Sequence, residues 1–353
     1  MSITHDFRPG FELDMPKLEA WLATQLPGFR GPLQGRQFPG GQSNPTYLLQ
    51  GPDCSYVLRR KPPGVLLPSA HAIDREFRVM RALGEGSDVP VARALALCED
   101  TSIVGTMFYV MEHVAGRIFW DPTLPDVPED GRAAIFRGMN AALARLHSVN
   151  PAAVGLGDFG RPDAYVARQV ARWSKQYVGD QDVAGRVEAL DRLIEWLPQH
   201  LPLQEPAAAV VHGDFRIDNL IFHPTEPRVL AILDWELSTL GDPFADFAYH
   251  VMMYRMSIDS IAGLAGRDLA ALGLPSEQEY VRWYCERRGL AAVPHLDFYV
   301  AFCLFRLAGI FHGIRARVVR GTAVSAQARK YAAEVEKIAE LGWQQAQRAG
   351  AAL

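Results

Sequence analysis

The chain has 353 residues, 49% of them hydrophobic and 22% charged, an ordinary globular balance with enough length for two lobes that each have a core. The formal net charge of -4 argues against a general nucleic-acid binder, and no signal peptide or membrane-spanning stretch is apparent. We therefore expect a cytoplasmic protein without a nucleic-acid or membrane partner. Its cysteines lack the spacing of a metal site and are expected to be reduced structural thiols. They are Cys54, Cys98, Cys285 and Cys303.

The first part of the chain has the pattern of a small lobe that contains a sheet. A helix is predicted after Asp14, which can cap it, with Pro16 in its first turn. In the segment 38–49, glycines precede small polar residues and a strand. This pattern is typical of a loop that approaches phosphates closely, and also of an ordinary turn. Apolar runs predict strands at 56–61, 89–97 and 107–111, and a helix at 70–83 after Ser69.

Helical patterns dominate the rest of the chain. Apolar residues at helical spacing predict helices at 126–146, 163–177 and 184–201, whose apolar stripes are best explained as core. A further helix at 301–320 contains four arginines, one histidine and no acid, and the segment 323–353 has the pattern of an exposed amphipathic helix. Five residues of the 301–320 helix share one face: Arg306, Gly309, Gly313, Arg317 and Arg320.

The stretch that carries the chemistry is a predicted hairpin with polar residues at its open end. Two short apolar runs, 220–222 and 229–233, flank a turn that contains two prolines. Because a hairpin returns its ends to the same place, the polar residues around it are expected to converge. They are His212, Asp214, Arg216, Asn219 and Asp234. This set suits phosphoryl transfer, which needs a group to orient the attacking hydroxyl, oxygen ligands for magnesium and positive charge near the moving phosphate.

The spacing of these residues resembles the catalytic and metal-binding loops of protein kinase-like enzymes. The His-Gly-Asp at 212–214 and the Asp-Trp-Glu at 234–236 are similar to the aminoglycoside phosphotransferase and choline kinase branch. They are most similar to the kinase-like domain associated with acyl-CoA dehydrogenases. The resemblance covers nearly the whole chain and implies a two-lobed α+β fold of the protein kinase-like type. Its parts would be a nucleotide-binding lobe with an antiparallel sheet (1–111), a hinge (112–118) and a larger, mostly helical catalytic and substrate-binding lobe (119–353).

The resemblance implies ATP and magnesium as cofactors and assigns roles around the hairpin. Asp214 would accept the proton of the substrate hydroxyl, and Arg216 would offset charge on the transferred phosphate. Asn219 and Asp234 would hold magnesium bridged to the phosphates of ATP. His212 is expected to brace the loop, because the family pattern gives the role of base to the aspartate.

Three further acids near the hairpin, and one tripeptide that resembles a metal motif, also receive an interpretation. Either Asp242 or Asp246 is expected to brace the loop, and Glu236 is expected to lie nearer the substrate. The tripeptide at 158–160 spells Asp-Phe-Gly, a protein-kinase metal motif. It precedes the catalytic loop, which is the wrong order, so it is expected to be a turn.

The resemblance also implies a nucleotide site in the first lobe. A glycine-containing loop would cover the phosphates, and the hinge would bind adenine through two backbone groups, with a methionine behind the ring. The loop residues are Gly41, Ser43 and Asn44, and the hinge residues are Met111, Glu112 and Val114.

Kinases place a lysine near the end of the strand at 56–61 and pair it with a glutamate on the next helix. The matching position is Arg59, which departs from the lysine pattern and offers phosphate a planar fork instead of a point charge. Arg60 and Lys61 are competing candidates, because a shift of one residue turns a strand side chain over. Glu76 is the predicted partner of the cation, and a solvated helix charge is the alternative.

The helix at 301–320 bears on the substrate. Its glycines cost about 1 kcal/mol each relative to alanine, so they suggest close approach of a ligand or of another helix. Aminoglycoside kinases bind polycations and are expected to present acids. A basic wall with Arg306, His312 and Arg317 instead suits an anionic substrate such as an acyl-CoA.

These observations predict an ATP- and magnesium-dependent phosphotransferase that acts on a small-molecule hydroxyl. The favoured substrate class is a hydroxyacyl-CoA. One alternative is a kinase of a sugar, an amino alcohol or an aminoglycoside. The other is a non-catalytic ATP-binding regulatory module that is partnered with an acyl-CoA dehydrogenase.

Overall fold

The chain divides into two compact units in the computed structural model, which describes residues 4–39, 44–64, 72–257 and 263–351. The first unit comprises Met1–Ile118, Ala152–Gly157 and Asn219–Ser238, and the second comprises Phe119–Pro151, Asp158–Asp218 and Thr239–Leu353. The first contains a five-stranded sheet, and the second is mostly helical. The predicted α+β class is therefore confirmed.

The described residues form nine strands and eleven α-helices. The strands are β1 (Gln34–Gln37), β2 (Thr46–Gln50), β3 (Ser55–Arg60), β4 (Ala94–Cys98), β5 (Phe108–Glu112), β6 (Ala209–Val211), β7 (Leu220–Phe222), β8 (Val229–Ile232) and β9 (Thr239–Gly241). The helices are α1 (Met15–Gln25), α2 (Ile73–Gly86), α3 (Thr101–Val104), α4 (Glu129–Ser148), α5 (Tyr165–Ala184), α6 (Glu188–Gln199), α7 (Pro243–Val251), α8 (Glu277–Arg288), α9 (Leu296–Val319), α10 (Ala326–Ala333) and α11 (Val335–Arg348).

The sheet of the first unit is antiparallel, with the order β1-β2-β3-β5-β4. Helix α1 begins after Asp14, whose side chain accepts a hydrogen bond from a backbone N–H of the first turn, as predicted. Its buried Leu18 and Leu22 join the core formed with the sheet, and Trp21 packs edge-on against Phe108 of β5. This core holds β3 and β5 at the middle of the sheet.

Strand β3 and helix α2 position the charged residues of the first unit. In the register of β3, Arg59 lies opposite Tyr109 of β5, and alternation turns Arg59 and Arg60 to opposite faces. Helix α2 begins at Ile73, later than predicted, and no side chain caps it. The acidic residues in its first turn instead stabilise the helix through the partial positive charge at its N-terminus. The predicted cap, Ser69, lies outside the described residues.

Helix α9 is the central helix of the second unit. By length and mean hydropathy alone it could cross a membrane, which the sequence prediction missed, but 83% of its most apolar window is buried inside the structure. Two of its glycines face α5. A Cβ at Gly313 would lie 2.4 Å from the side-chain amide of Gln176, the end of a flexible side chain, whereas a Cβ at Gly309 would lie 3.7 Å from Trp173, an ordinary contact. Another helix therefore faces both positions, and Gly313 is the one of the two whose neighbour would have to move to admit a side chain.

The C-terminal segment differs from its prediction. The expected single exposed helix at 323–353 is two helices, α10 and α11. Ile338 of α11 is fully buried, and Gly342 lets α11 approach Leu193 of α6 and Leu304 of α9 closely. The prediction of an exposed helix is wrong because the apolar stripe of α11 packs against the second unit.

The four cysteines are free thiols. Cys98, Cys285 and Cys303 are buried, which fits the prediction of structural thiols. Cys54 is exposed, and its Sγ lies 2.9 Å from the hydroxyl of Tyr56 on β3.

Candidate active site

The predicted hairpin forms and brings the two proposed magnesium ligands together. Leu220 of β7 pairs with Ile232 of β8, and the N–H of Leu233 donates a 2.8 Å hydrogen bond to the carbonyl of Asn219. Asn219 and Asp234 therefore lie at the same open end, as expected. Asp234 has a left-handed backbone (φ 64°, ψ 64°), which costs free energy in a residue with a side chain and often marks a functional site.

Arg59 is the centre of a cluster of carboxylates in the first unit. Its Nε lies 2.9 Å from Glu76, and a terminal nitrogen lies 2.7 Å from Asp234 and 3.7 Å from Glu236. The predicted pair between a strand cation and α2 is thus present, with arginine as the cation. Glu76 is only 1% exposed and has two further donors. They are the amide of Asn44 at 2.9 Å and the hydroxyl of Tyr109 at 3.1 Å.

The two competing cations have other surroundings. Arg60 faces the opposite side of the sheet, where it donates to the hydroxyl of Tyr47 at 3.1 Å and to the carbonyl of Val104 at 2.7 Å. Lys61 follows the end of β3, and its backbone N–H donates to the carbonyl of Met107. Of the three candidates, Arg59 is the one that the structure places beside Glu76.

Burial and charge act in opposite directions on this cluster. Desolvation lowers the pKa of Arg59, but the charges of Glu76 and Asp234 outweigh it and raise the pKa, so the guanidinium stays charged. Desolvation raises the pKa of Glu76, and Arg59 opposes that shift. One cation thus faces the three carboxylates of Glu76, Asp234 and Glu236. Because the acids outnumber the cation, the cluster favours binding of a further positive charge.

The donors at the open end of the hairpin fit a magnesium ion. Mg²⁺ prefers oxygen ligands and usually binds one or two carboxylates together with water and substrate phosphates. Asp234 supplies a carboxylate that is 35% exposed, and Asn219 supplies an amide oxygen. Within the described ranges, no group of three or more His, Cys, Asp or Glu side chains forms a metal cage. Phosphates and water would have to complete the coordination.

The predicted adenine contacts lie where β5 ends. The N–H of Glu112 donates to the carbonyl of Arg93 at 3.0 Å, and the Glu112 carboxylate accepts the N–H of Arg93 at 2.9 Å. The N–H of Val114 makes no hydrogen bond to the part of the chain that the structure describes. Val114, and not the N–H of Glu112, therefore offers a backbone donor here. Met111 is buried, with 9% exposure.

The phosphate loop is only partly covered by the structure. Gly41 and Ser43 lie outside the described residues. Asn44 is fully buried, and its amide donates to Glu76. Asn44 therefore supports the pair between Arg59 and Glu76 instead of projecting from the loop.

A glycine that is not among the predicted site residues fastens the hinge to the hairpin. The backbone of Arg117 exchanges two 2.8 Å hydrogen bonds with Phe222 of β7. A Cβ at Gly116 would lie 2.2 Å from the carbonyl oxygen of Phe222, so a side chain there would force the two segments apart. A glycine a few residues beyond a predicted strand is the sequence signal that could have found it.

In the second unit, three charged residues lie on the loop after β6. The Nε of Arg216 lies 3.4 Å from Asp214, and a terminal nitrogen lies 3.0 Å from Asp218. Burial lowers the pKa of Arg216, but Asp214 and other nearby groups raise it more, so the guanidinium stays charged. Arg216 therefore holds a positive charge beside the proposed base.

Asp246 of α7 braces this loop through its backbone. Its carboxylate accepts the N–H of His212 at 2.7 Å and the N–H of Gly213 at 2.8 Å. His147 lies 3.1 Å from the same carboxylate. Desolvation raises the pKa of Asp246, but its hydrogen bonds to His147 and to the N–H of His212 help to lower it overall, so the brace stays ionised. Of the two predicted candidates, Asp246 is the brace, whereas Asp242 caps α7.

Two further residues of α7 contact the loop and are not among the predicted site residues. The hydroxyl of Tyr249 donates a 2.6 Å hydrogen bond to Asp214, and the Nδ1 of His250 lies 3.2 Å from the carbonyl of Phe215. Together with Asp246 they stand at positions i, i+3 and i+4, one helix face. That spacing is the sequence signal, although apolar neighbours make it resemble an ordinary core stripe.

The predicted basic substrate wall on α9 is wrong as a continuous surface. Arg306 is buried and donates to the carbonyl of Gly213 at 2.8 Å. His312 is fully buried, and its Nε2 lies 2.8 Å from the carbonyl of Gly185. Only Arg317 remains exposed among the three predicted substrate cations. The helical wheel groups these residues correctly, but it does not reveal that α5 covers the face.

The Asp-Phe-Gly tripeptide forms a turn, as predicted. Phe159 is fully buried, and a Cβ at Gly160 would lie 2.2 Å from the hydroxyl of Thr239. The glycine therefore permits close packing against β9.

A sheet lobe with this cation–glutamate pair, a hairpin that carries Asn219 and Asp234, and a braced His-Gly-Asp loop define a protein kinase-like phosphotransferase. The chain belongs to the phosphotransferase enzyme family, whose model matches residues 34–284.

Solved structures agree with this class. A putative aminoglycoside phosphotransferase from Ralstonia eutropha is 48% identical, with a TM-score of 0.88 over 96% of this chain and 99% of that chain. Spectinomycin phosphotransferase, solved with ADP and spectinomycin, has a TM-score of 0.60 over 94% of this chain and 98% of that chain. At 10% identity, this second likeness shows the fold alone.

Two relatives at the sequence level are named as acyl-CoA dehydrogenases and not as phosphotransferases. Acyl-CoA dehydrogenase family member 10 of Mus musculus is 48% identical over 91% of this chain, and family member 11 of Gallus gallus is 42% identical over 98%. The chain spans 30% and 45% of the length of these two relatives. It is therefore similar to one part of each of them.

Proposed function

We propose that the chain is an ATP- and magnesium-dependent kinase that phosphorylates a hydroxyl group of a small molecule. The observation that carries this proposal is the cluster in which Arg59 binds both Glu76 and Asp234, with Asn219 at the same hairpin end as Asp234. A cation held by a buried glutamate beside magnesium-type donors is what nucleotide phosphates require. Membership of the phosphotransferase enzyme family supports the same cofactor.

Each residue of the proposed site has its own role in phosphoryl transfer. In the proposed reaction, the substrate oxygen forms a bond to the γ-phosphorus while the bond to ADP breaks. The hydroxyl proton passes to Asp214, a contribution on the order of 10²–10⁴-fold. Arg216 offsets charge on the transferred group. Asn219 and Asp234 would hold magnesium, which neutralises phosphate charge when bound.

Arg59 would contribute to nucleotide binding in a way that a lysine cannot. A guanidinium is a planar fork with five donors, so it can keep Glu76 while it presents other donors to phosphate oxygens. The present bond to Asp234 uses one of these donors. Val114 would supply the backbone donor for adenine beside Met111, and the loop with Gly41 and Ser43 would cover the phosphates.

For the acceptor, we propose a hydroxyacyl-CoA. The names of the relatives, which refer to acyl-CoA dehydrogenases, support this class, and we also propose functional association with such a dehydrogenase. The exposed Arg317 offers one cation to an anionic acceptor. The alternative is a sugar, an amino alcohol or an aminoglycoside, and the name of the Ralstonia eutropha structure favours the last of these.

The test is ATP consumption by the purified protein with magnesium, against hydroxyacyl-CoAs, free hydroxy acids, sugars, choline and aminoglycosides. Turnover only with CoA thioesters, lost in Asp214→Ala, is the expected result. Turnover with a sugar or an amine would support the proposed kinase function and contradict the proposed CoA substrate. Tight ATP binding without turnover of any acceptor would favour a regulatory module.

A further inference from the structure

Two buried side chains touch the His-Gly-Asp loop without a part in the proposed chemistry. The hydroxyl of Tyr249 donates to the Oδ1 of Asp214 at 2.6 Å. A terminal nitrogen of Arg306 donates to the carbonyl of Gly213 at 2.8 Å. Each side chain is 7% exposed, so neither is placed to contact solvent.

The two side chains also contact each other. The guanidinium carbon of Arg306 lies 5.3 Å from the centroid of the Tyr249 ring, within the range of a cation–π interaction. The ring is therefore held between the cation of α9 and the carboxylate of the loop. This arrangement links α7, α9 and the loop through one tyrosine.

The surroundings of Arg306 are unusual for a buried charge. Within the described part of the chain it has no ion-pair partner, and its Nε has no hydrogen-bond partner. A buried cation without a paired acid is costly, and such groups are normally matched. Among the groups that raise the pKa of Arg306 most, Asp214 is the one carboxylate.

Both side chains keep the protonation state that these contacts need. Burial, and then the charge of Asp214, raises the pKa of Tyr249 well above its ordinary value, so the phenol remains a donor. Burial lowers the pKa of Arg306, but Tyr165 and Tyr249 raise it more, so the guanidinium stays charged.

We propose that Tyr249 and Arg306 are a positioning pair for the loop. Tyr249 fixes the rotation of the Asp214 carboxylate through its hydroxyl, and Arg306 fixes the peptide plane of Gly213 through the carbonyl. Both would act through the loop and not by contact with the acceptor. The catalytic part of this proposal rests on the proposed kinase function, whereas the link between Tyr249 and Asp214 does not.

The first experiment compares Tyr249→Phe with Tyr254→Phe. Tyr249→Phe removes only the hydroxyl and keeps the ring under Arg306. The matched control removes a buried hydroxyl that has no hydrogen-bond partner in the described ranges. We expect kcat for the accepted substrate to fall about 10-fold or more in Tyr249→Phe, because a hydrogen bond to a charged group is lost, with KM for ATP nearly unchanged. Unchanged kcat, or an equal loss in both variants, would overturn the catalytic part.

The second experiment needs no turnover. Tm is measured for Tyr249→Phe, for Asp214→Ala and for the double variant. If the two side chains are linked, the loss of Tm in the double variant differs from the sum of the two single losses. Additive losses would overturn the pair even if the protein is an active kinase. Non-additive losses with no activity on any acceptor would retain the link and reject the kinase function instead.

Discussion

The two groups of proposed site residues are held in different ways. In the first unit, Arg59, Glu76 and Asp234 are joined by side-chain ion pairs between a strand, a helix and a hairpin. In the second unit, Asp246 and Arg306 hold the backbone of His212 and Gly213. Ion pairs can exchange partners when phosphates and a metal arrive, whereas a peptide that is bonded on both sides cannot move without breaking several bonds. The difference suggests that the first group rearranges during binding and that the loop is preorganised.

The replacement of Asp234 by asparagine tests the rearranging group. We expect Asp234→Asn to abolish measurable turnover and to weaken ATP binding only when magnesium is present, because the one carboxylate proposed as a metal ligand is lost. Steady-state kinetics and calorimetric titration of ATP with and without magnesium measure both effects. Glu226→Gln, which alters an exposed acid in the turn of the same hairpin, is the control and should retain most activity. Full activity of Asp234→Asn would show that Asp234 is not a metal ligand.

The replacement of Asp246 by asparagine tests the preorganised group. We expect Asp246→Asn to lower the free energy of unfolding by about 3–5 kcal/mol, because a buried carboxylate that binds His147 and two peptide N–H groups is removed. Denaturant unfolding measures it. Asp242→Asn is a matched control on the same helix, where asparagine still caps well and the loss should be much smaller. If both variants lost the same free energy of unfolding, the contacts of Asp246 with the loop would contribute no more to stability than the cap at Asp242.

Acidification should destabilise the same region through His250. Burial lowers the pKa of His250 to about 4, and its ordinary value is 6.5. The folded state therefore resists protonation that the unfolded state accepts. This contribution, about 3 kcal/mol, is present above pH 6.5 and is lost as the pH falls to about 4. Unfolding free energies across this window should show a smaller slope in His250→Gln. An identical slope in the variant would assign the effect to other groups, of which His147 also has a lowered pKa.

The smallest effect concerns the exposed end of α9. We expect Arg317→Glu to raise KM for an anionic acceptor several-fold while KM for ATP is unchanged, since reversal of one exposed charge has a modest effect. Arg329→Glu, another exposed arginine, is the control. If both variants behave alike, Arg317 has no special part in acceptor binding.

The sequence predicts local relations better than long-range ones. The hairpin could be predicted from two apolar runs and a turn, and the Asp-Phe-Gly turn from its place before the catalytic loop. The pair of Arg59 with Glu76 is predicted from the family resemblance, with Arg60 and Lys61 as competing candidates. Tyr249 contacts Asp214 across 35 positions, and Arg306 contacts Gly213 across 93. No local rule connects such residues. The prediction for α9 failed for the same reason, because the sequence shows which residues share a face and not which helix covers it.

The exposure of Cys54 has a practical consequence for spectroscopy. It is the one exposed thiol among the four cysteines, and it lies on the approach to β3, the strand that ends with Arg59 and Arg60. A maleimide dye or spin label should therefore attach at a single place in the native chain, without engineered cysteines. Because Tyr56 contacts this thiol, the label would report on the strand that carries Arg59. Its signal would follow nucleotide titrations directly, including in variants that cannot turn over.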